Sequence, residues 1–208
     1  MKKCMMALAL VALVAGCRTP TTIIDEDNDL GPRVASIDYR DVKQAANKLL
    51  QSLYRSGRLD RGDGQMYVLA VSKVVNDTVL RFDTDILTSY ITEELMNSGK
   101  VMVTSAMAAG ADNRDEMING VRSVRGNGEF NQNTVAKAGQ LVAPTHSVYG
   151  KIIQREIRMD NGDKQIEYYF QLRIVELATG LQWWQKQAVI GKRTDATTPT
   201  WREGRGMS

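Results

Sequence analysis

Side chains able to carry out chemistry are few in this chain of 208 residues. It contains one histidine, His146, and two cysteines, Cys4 and Cys17. Nucleophilic catalysis by a Ser/His/Asp or Cys/His set needs a base beside the nucleophile and a third group that orients the base. A single histidine at the entrance of a predicted strand is more typical of a hydrogen-bonded structural residue. The residue types therefore predict no such catalytic set.

Acidic pairs and glycine motifs add no catalytic signature. Glu93-Glu94 and Asp115-Glu116 lie on predicted helices, where neighbouring side chains point in different directions, so solvated helix faces are the simpler interpretation. The zinc motif H-E-x-x-H, the phosphate-binding loop and the dinucleotide-binding glycine pattern do not occur. The sequence predicts no enzyme, no cofactor and no metal site, although distant carboxylates could still converge in a hydrolase.

The N-terminus has the three parts of a secretory signal. Lys2 and Lys3 precede an uncharged apolar run over 4–16, which ends in the small pair Ala15-Gly16. A helix needs ~20 residues to span the hydrocarbon core of a bilayer, and this run has about 13. Residues 1–16 are therefore predicted to be a signal peptide and not a membrane-spanning anchor.

The signal closes with L-V-A-G-C, which resembles the lipobox of bacterial lipoproteins. The resemblance implies cleavage before Cys17 and acylation of its thiol and its new amino group. Each buried CH₂ of an acyl chain contributes ~0.8 kcal/mol, so several chains on one residue hold a protein stably on a membrane. Cys17 is thus the predicted lipidation site and membrane anchor. The alternative is a plain secretory signal followed by an accidental cysteine.

Composition after the signal limits the domain count and the class of partner. Without Lys2 and Lys3, 25 Lys and Arg stand against 24 Asp and Glu, and this balance argues against a nucleic-acid-binding protein. Residues 17–34 are polar and lack apolar periodicity, which is typical of a flexible tether. Residues 35–192 suit one globular domain, and we expect 193–208 to form a disordered tail.

Helical and strand periodicities alternate in the first half of the domain. Apolar spacing over 41–54 predicts a helix that Asp38 or Asp41 can cap. Residues 66–75 predict a central strand, 86–95 a second helix and 100–105 a second buried strand. The order strand, helix, strand implies a parallel crossover.

The second half of the domain has two weaker helical patterns followed by long stretches of alternating apolar and polar residues. Helices are expected over 112–121 and over about 132–141. Alternating hydrophobicity predicts three strands, and the pair Asn161-Gly162 favours a hairpin turn between the first two. The strands are 147–159, 164–177 and 181–190. The predicted fold class is α/β, with a single mixed sheet packed with about four helices. The sheet combines a parallel crossover strand pair with a C-terminal three-stranded antiparallel meander.

Alternation along the middle strand of the meander separates a core face from an outward face. The residues expected to meet the helices are Ile166, Tyr168, Phe170, Leu172 and Ile174. Gln171 and Arg173 fall on the outward face. Trp183 and Trp184 are adjacent, so we expect one to enter the core and the other to lie outward near Arg173, unless it covers the core edge. Trp, Tyr and Arg are enriched at binding hot spots.

The lipobox and several stretches of the domain resemble the LpoB-type peptidoglycan-synthase activator lipoproteins. The stretches are M-Y-V-L-A-V-S-K-V-V-N-D-T, L-M-N-S-G-K with V-M-V-T-S, H-S-V-Y-G-K-I, and L-R-I-V-E-L-A-T-G-L-Q-W-W. The resemblance covers roughly 34–190. It implies a domain similar to the N-terminal domain of TolB, held on the periplasmic face of the outer membrane. It also implies that the protein binds and activates a bifunctional class A penicillin-binding protein without chemistry of its own.

Four residues form the predicted partner-binding set. The resemblance implies that Tyr149, in the motif Y-G-K, and Trp184, in the motif T-G-x-x-W-W, correspond to interface residues of the family. Strand alternation adds Gln171 and Arg173. Arg18 after the cysteine fits sorting of a lipoprotein to the outer membrane. We expect the protein to act as a monomer.

The tether departs from the family pattern. The best-known members have a long proline-rich tether, whereas this one has about 17 residues. Such a coil has an r.m.s. reach of ~20–25 Å, or ~55–60 Å when fully stretched. A related fold also occurs in the curli-type secretion lipoproteins, so a second hypothesis is an envelope assembly or secretion component of that kind. That role needs amphipathic membrane hairpins, and the sequence outside the meander has none.

Overall fold

The computed structural model describes residues 37–107, 115–162 and 164–194, with side chains of Lys164 and of 192–194 left aside. This part of the chain contains three helices and six strands. The helices are α1 (Tyr39–Arg55), α2 (Asp85–Asn97) and α3 (Met117–Ser123). The strands are β1 (Tyr67–Val71), β2 (Val75–Asp77), β3 (Val101–Val103), β4 (His146–Arg158), β5 (Lys164–Glu176) and β6 (Gln182–Thr194).

One mixed sheet organises the domain. Its strand order is β3-β1-β4-β5-β6, and β2 pairs with β4 beyond the end of β1. β1 runs parallel to both β3 and β4, whereas β4, β5 and β6 are antiparallel neighbours. The α/β class, the parallel crossover and the antiparallel meander are therefore confirmed.

Helix α1 begins at a capping box. The Asp41 N–H donates to Asp38 Oδ1 at 3.1 Å, and the Asp38 N–H donates to Asp41 Oδ2 at 3.0 Å, which satisfies two otherwise unpaired donors. Two residues of the predicted apolar stripe, Val42 and Tyr54, are partly buried against the core. The other five are buried: Ala45, Ala46, Leu49, Leu50 and Leu53. Gly57, at φ +68°, follows the helix end. The first helix and its cap are thus confirmed.

The central strand is shorter than predicted. A single strand to Val75 was expected, but pairing stops at Val71 and resumes as β2 at Val75. Between them Val74 is buried, and its N–H donates to the Thr88 hydroxyl at 3.1 Å. Its side chain lies over Gly150, where an added Cβ would be 2.8 Å from Val74 Cγ2. The break therefore follows from packing against a glycine, which apolar periodicity does not reveal.

The helix predicted over 132–141 is wrong. In its place, turns are held by polar side chains that bond to nearby backbone. Gln132 Nε2 donates to the carbonyls of Asn127 at 2.7 Å and Phe130 at 3.0 Å, and the Asn133 N–H donates to Asn131 Oδ1 at 3.1 Å. Such local bonds compete with a helical ladder. The described part therefore has three helices instead of about four, and α3 begins at Met117; Asp112 lies outside the described residues.

The core lies on one side of the sheet. α1 packs against β5, β6 and α2, and α2 packs against β3. The five β5 residues assigned to the core are all buried in one cluster with α1 and α2, as predicted. Ala70, Ala106 and Val135 are buried outside this cluster. Among the described helices, none has the length and hydropathy needed to cross a bilayer.

Candidate partner-binding surface

The outward face of the meander consists of the side chains of β4, β5 and β6 that point away from α1 and α2. Cross-strand pairing brings Tyr149 opposite Arg173, and Arg173 opposite Gln185. A second row joins Lys151, Gln171 and Gln187 in the same way. Tyr149, Gln171 and Arg173 are thus brought together, because facing residues of antiparallel strands project from the same side of a sheet.

Tyr149 and Arg173 form the central contact of this face. The Arg173 guanidinium carbon lies 4.3 Å from the centre of the Tyr149 ring, well within cation–π distance. Within the described part of the chain, no hydrogen bond or ion pair engages the Arg173 guanidinium. Its side chain is exposed, and Tyr149 is half-buried. A flat arginine stacked on a tyrosine therefore keeps its five N–H donors available for carboxylates or carbonyls of a partner.

The second row is held by polar contacts. Gln171 Nε2 donates to Gln187 Oε1 at 2.9 Å. Lys151 Nζ donates to Asp77 Oδ2 at 2.6 Å, and this hydrogen bond to a carboxylate raises the pKa of Lys151. These contacts join side chains of β2 to β4 and of β5 to β6 along the second row.

A third row lies towards the hairpin between β4 and β5. The Glu167 carboxylate accepts hydrogen bonds from the Tyr169 hydroxyl and, at 2.7 Å, from Gln165 Nε2. The tyrosine hydrogen bond is the main cause of the lowered pKa of Glu167, and the same bond raises the pKa of Tyr169. Glu167 also lies opposite Arg155 on β4, so its carboxylate has a cation as its cross-strand neighbour.

The expectation that Trp183 and Trp184 point to opposite faces is wrong. Trp184 lies opposite Ile174, whose side chain is buried on the helix side, and the next pair is Val175 with Gln182. Trp183 is therefore the extra residue of a β-bulge, which breaks the alternation. Both tryptophans are half-buried against the core cluster. Trp184 consequently does not share the face of Tyr149, Gln171 and Arg173.

Trp183 belongs to an aromatic cluster with Tyr67 and His146. The ring centres lie 5.2 Å apart for Tyr67 and Trp183, and 4.8 Å apart for the two pairs that include His146. Arg58 lies over Trp183 and Arg61 over Tyr67. Sequence reasoning missed this cluster, because its members come from three strands. The one hint of a bulge in the sequence is the motif T-G-L-Q-W-W, in which two large apolar residues are adjacent where a strand would alternate apolar and polar residues.

Chemical sites of other kinds are not visible in the described residues. No group of three or more His, Cys, Asp and Glu side chains there is arranged to hold a metal ion. Cys17, the tether over 17–34 and the tail beyond 194 lie outside the described residues, so the predictions about them stay predictions.

The described geometry defines a small α/β domain in which α1 and α2 pack on one side of a mixed sheet and the polar outward face of the meander lies on the other. The family model described as "Peptidoglycan-synthase activator LpoB" matches residues 41–190, well over half of the chain. The chain belongs to this family of peptidoglycan-synthase activators. No curated protein sequence matches it significantly.

Solved structures of low sequence identity are also similar. The LpoB C-terminal domain from Salmonella enterica is 15% identical with a TM-score of 0.43, and the match covers 72% of this chain and 98% of that one. The NMR structure of Escherichia coli LpoB is 14% identical with a TM-score of 0.40, covering 87% and 85%. Lipoprotein GNA1162 from Neisseria meningitidis is 16% identical with a TM-score of 0.34, covering 62% and 84%.

Proposed function

We propose that this protein is an outer-membrane lipoprotein that binds a class A penicillin-binding protein and activates it. The observation that carries the proposal is the ordered outward face around Tyr149 and Arg173, in a chain that belongs to an activator family. The lipobox supports acylation of Cys17 and attachment to the periplasmic face of the outer membrane. The domain performs no chemistry and acts as a monomer.

The outward face suits a protein partner for physical reasons. Tyr149, Gln171 and Arg173 already hold their orientations through cross-strand contacts, so docking costs little side-chain entropy there. Aromatic residues and arginine are enriched where binding energy concentrates. Tyr149 buries its ring against Arg173 and Arg173 offers donors outward, which combines an apolar anchor with directional hydrogen bonding.

Activation follows from differential binding. A partner with active and inactive states shifts towards whichever state this face binds more tightly. The coupling is reciprocal, so the activator also binds better to a synthase that is held in its active state. Stimulation of glycosyl transfer and of cross-linking can therefore occur without any catalytic group on this chain.

Trp184 keeps its predicted place in the partner-binding set by a different route. Its side chain packs against the core cluster. It would therefore contact a partner at the edge of β6, or affect binding by fixing the position of the neighbouring bulge. A partner that contacts both the outward face and the β6 edge would reach all four residues. Trp184 and Arg173 should then make separable contributions to affinity.

A direct binding experiment tests the proposal. Purified class A synthases are immobilised, binding of the chain is measured, and glycosyltransferase activity is followed with and without it. Arg173→Ala and Tyr149→Ala are each expected to weaken binding at least about tenfold, the range of hot-spot truncations. Arg81→Ala is the matched control, because Arg81 is an exposed arginine in the loop before α2. Absence of binding to every class A synthase would refute the proposal. Equal losses of affinity in all three variants would show that the outward face is not the binding surface.

The tether and the oligomeric state need their own test. With about 17 residues between Cys17 and the domain, lengthening the tether is expected to preserve or increase activation in cells, and shortening it is expected to abolish activation. Light scattering of the purified chain is expected to give the mass of one copy. A closed ring of copies would favour the secretion-component hypothesis instead.

A further inference from the structure

His146 is buried at the point where three strands meet. It begins β4, its side chain is 3% exposed, and its ring contacts Tyr67 from β1 and Trp183 from the bulge of β6. The edge-to-face geometry with Tyr67, at 80° between the ring planes, is a favoured aromatic arrangement. The imidazole therefore joins the start of β1 to the bulged start of β6, across β5.

The hydrogen-bond network assigns the proton of the imidazole. The Thr145 hydroxyl oxygen lies 3.0 Å from both the Val68 carbonyl and His146 Nδ1, and a hydrogen on Nδ1 is the arrangement in which the hydroxyl donates to the carbonyl and accepts from the imidazole. Nδ1 therefore carries the hydrogen, and Nε2 carries the lone pair. Nε2 is buried and has no hydrogen-bond partner in the described part of the chain. A neutral imidazole satisfies this site, whereas a proton on Nε2 would be a buried donor without an acceptor.

Charged groups around the cluster are unevenly arranged. Arg61, in the loop before β1, lies 5.0 Å from the centre of the Tyr67 ring, and Arg58 lies 5.8 Å from that of Trp183. On β5, Glu176 is the cross-strand partner of His146. Burial lowers the pKa of His146 below its ordinary 6.5, Glu176 opposes the shift, and Arg61 adds to it. Arg61 is also ion-paired with Asp63, and Glu176 has the larger effect of the two charged neighbours, so burial is the main obstacle to a positive charge on His146.

We propose that His146 is an acid-sensitive latch, whose neutral imidazole holds Tyr67 and Trp183 together and whose protonation releases the β5–β6 hairpin end. Release would open the turn between these strands, where the Glu176 N–H donates to the Leu181 carbonyl at 2.9 Å. A periplasmic domain would thereby respond to the acidity of its surroundings.

The sign of the pH dependence follows from linkage. The pKa is lower in the closed state than in the open or unfolded state, so the open state binds the proton more tightly. The latch therefore contributes its full stability above the ordinary pKa of 6.5, and this contribution is lost as the pH falls towards the pKa of the closed state.

The test uses the fact that His146 is the one histidine of the chain. Proton NMR of the acylated chain in detergent follows its imidazole signals from about pH 8 to about pH 5, the range in which an imidazole titrates. A midpoint below 6.5 is expected, together with quenching of tryptophan fluorescence as the neighbouring imidazolium forms. A midpoint at or above 6.5 in the folded protein would overturn the proposal.

Two further measurements separate a latch from general acid sensitivity. Hydrogen exchange at pH 8 and pH 5, compared as protection factors, is expected to show a selective loss at Glu176, with Phe170 in mid-strand as the control amide. His146→Gln can still donate to Thr145 but cannot titrate, and it is expected to remove at least half of the fall in the urea midpoint between these pH values. Equal loss of protection at both amides, or an unchanged fall in His146→Gln, would overturn the latch. The NMR titration applies even if His146→Gln does not fold.

Discussion

The two faces of β5 differ in how their side chains are held: one is packed into the core, and the other is exposed and joined to neighbouring strands by polar contacts. Phe170 faces α1 and α2 and is fully buried, whereas its neighbour Gln171 faces outward between Lys151 and Gln187 and donates a hydrogen bond to Gln187. The buried face is specified by many simultaneous contacts, and the outward face by separate cross-strand pairs. Substitutions on the outward face can therefore change recognition without changing the fold, which is the property that a binding surface needs.

The largest predicted difference is between Phe170→Ala and Gln171→Ala. Loss of a fully buried phenylalanine costs roughly 3–5 kcal/mol of unfolding free energy, because it removes apolar burial and leaves a cavity. Gln171→Ala removes one exposed hydrogen bond and is expected to stay within about 0.5 kcal/mol of the parent. Urea denaturation of both variants measures the two values. Similar losses would mean that the outward face is also part of the core.

Gly150→Ala is the next test, because Gly150 lies on the buried side of β4, where the packing leaves no space for a side chain. An added Cβ would be 2.8 Å from Val74 Cγ2 and 3.4 Å from Phe170. Overpacking of this kind typically costs about 1–3 kcal/mol. Gly191→Ala on β6 is the matched control, since a Cβ there meets nothing within 4 Å. Thermal unfolding should separate the two variants, and equal melting temperatures would show that Val74 can move aside.

Trp184→Ala tests whether the tryptophan next to the bulge serves the core or the partner-binding set. The tryptophan is half-buried against the core cluster, so we expect a loss of roughly 1–3 kcal/mol, less than for a fully buried ring. Affinity for the synthase is measured at a temperature where the variant is fully folded. Weaker binding there would assign Trp184 to the partner-binding set, and unchanged binding would make it a structural residue.

Much of the fold could be predicted from the sequence, because burial imposes a period on it. The stripe of α1, the Asp38 cap and the inner face of β5 all repeat at spacings that one-sided packing requires. The break after Val71 could not be predicted, since it depends on the contact of Val74 with a glycine far along the chain. The prediction of a helix over 132–141 failed for a local reason. The side chains of Gln132 and Asn131 form hydrogen bonds with nearby backbone groups, which favours turns over a helix.

The candidate site was predictable only as far as alternation held. Gln171 and Arg173 were assigned to the outward face correctly, since β5 alternates without interruption there, and Tyr149 is the cross-strand partner of Arg173. At the β6 bulge the period slips by one residue, which moves Trp184 to the helix side. The bulge inserts one apolar residue next to another, and alternation of apolar and polar residues cannot reveal such an insertion. The predicted orientation of the two tryptophans was therefore wrong.

The smallest predicted effect concerns the ion pair between Lys151 and Asp77. Both side chains are exposed to solvent, where water and salt screen the attraction, so Asp77→Asn is expected to leave the melting temperature unchanged within error. Asparagine keeps a hydrogen-bond acceptor for Lys151 but removes the carboxylate, whose hydrogen bond and charge both raise the pKa of Lys151. If Lys151 contacts an acidic partner, losing its own counter-ion should strengthen binding at low salt and have no effect at high salt. The salt dependence of synthase affinity therefore tests whether the cationic part of the outward face is used, and a variant that loses stability instead would show that the pair holds β2 onto β4.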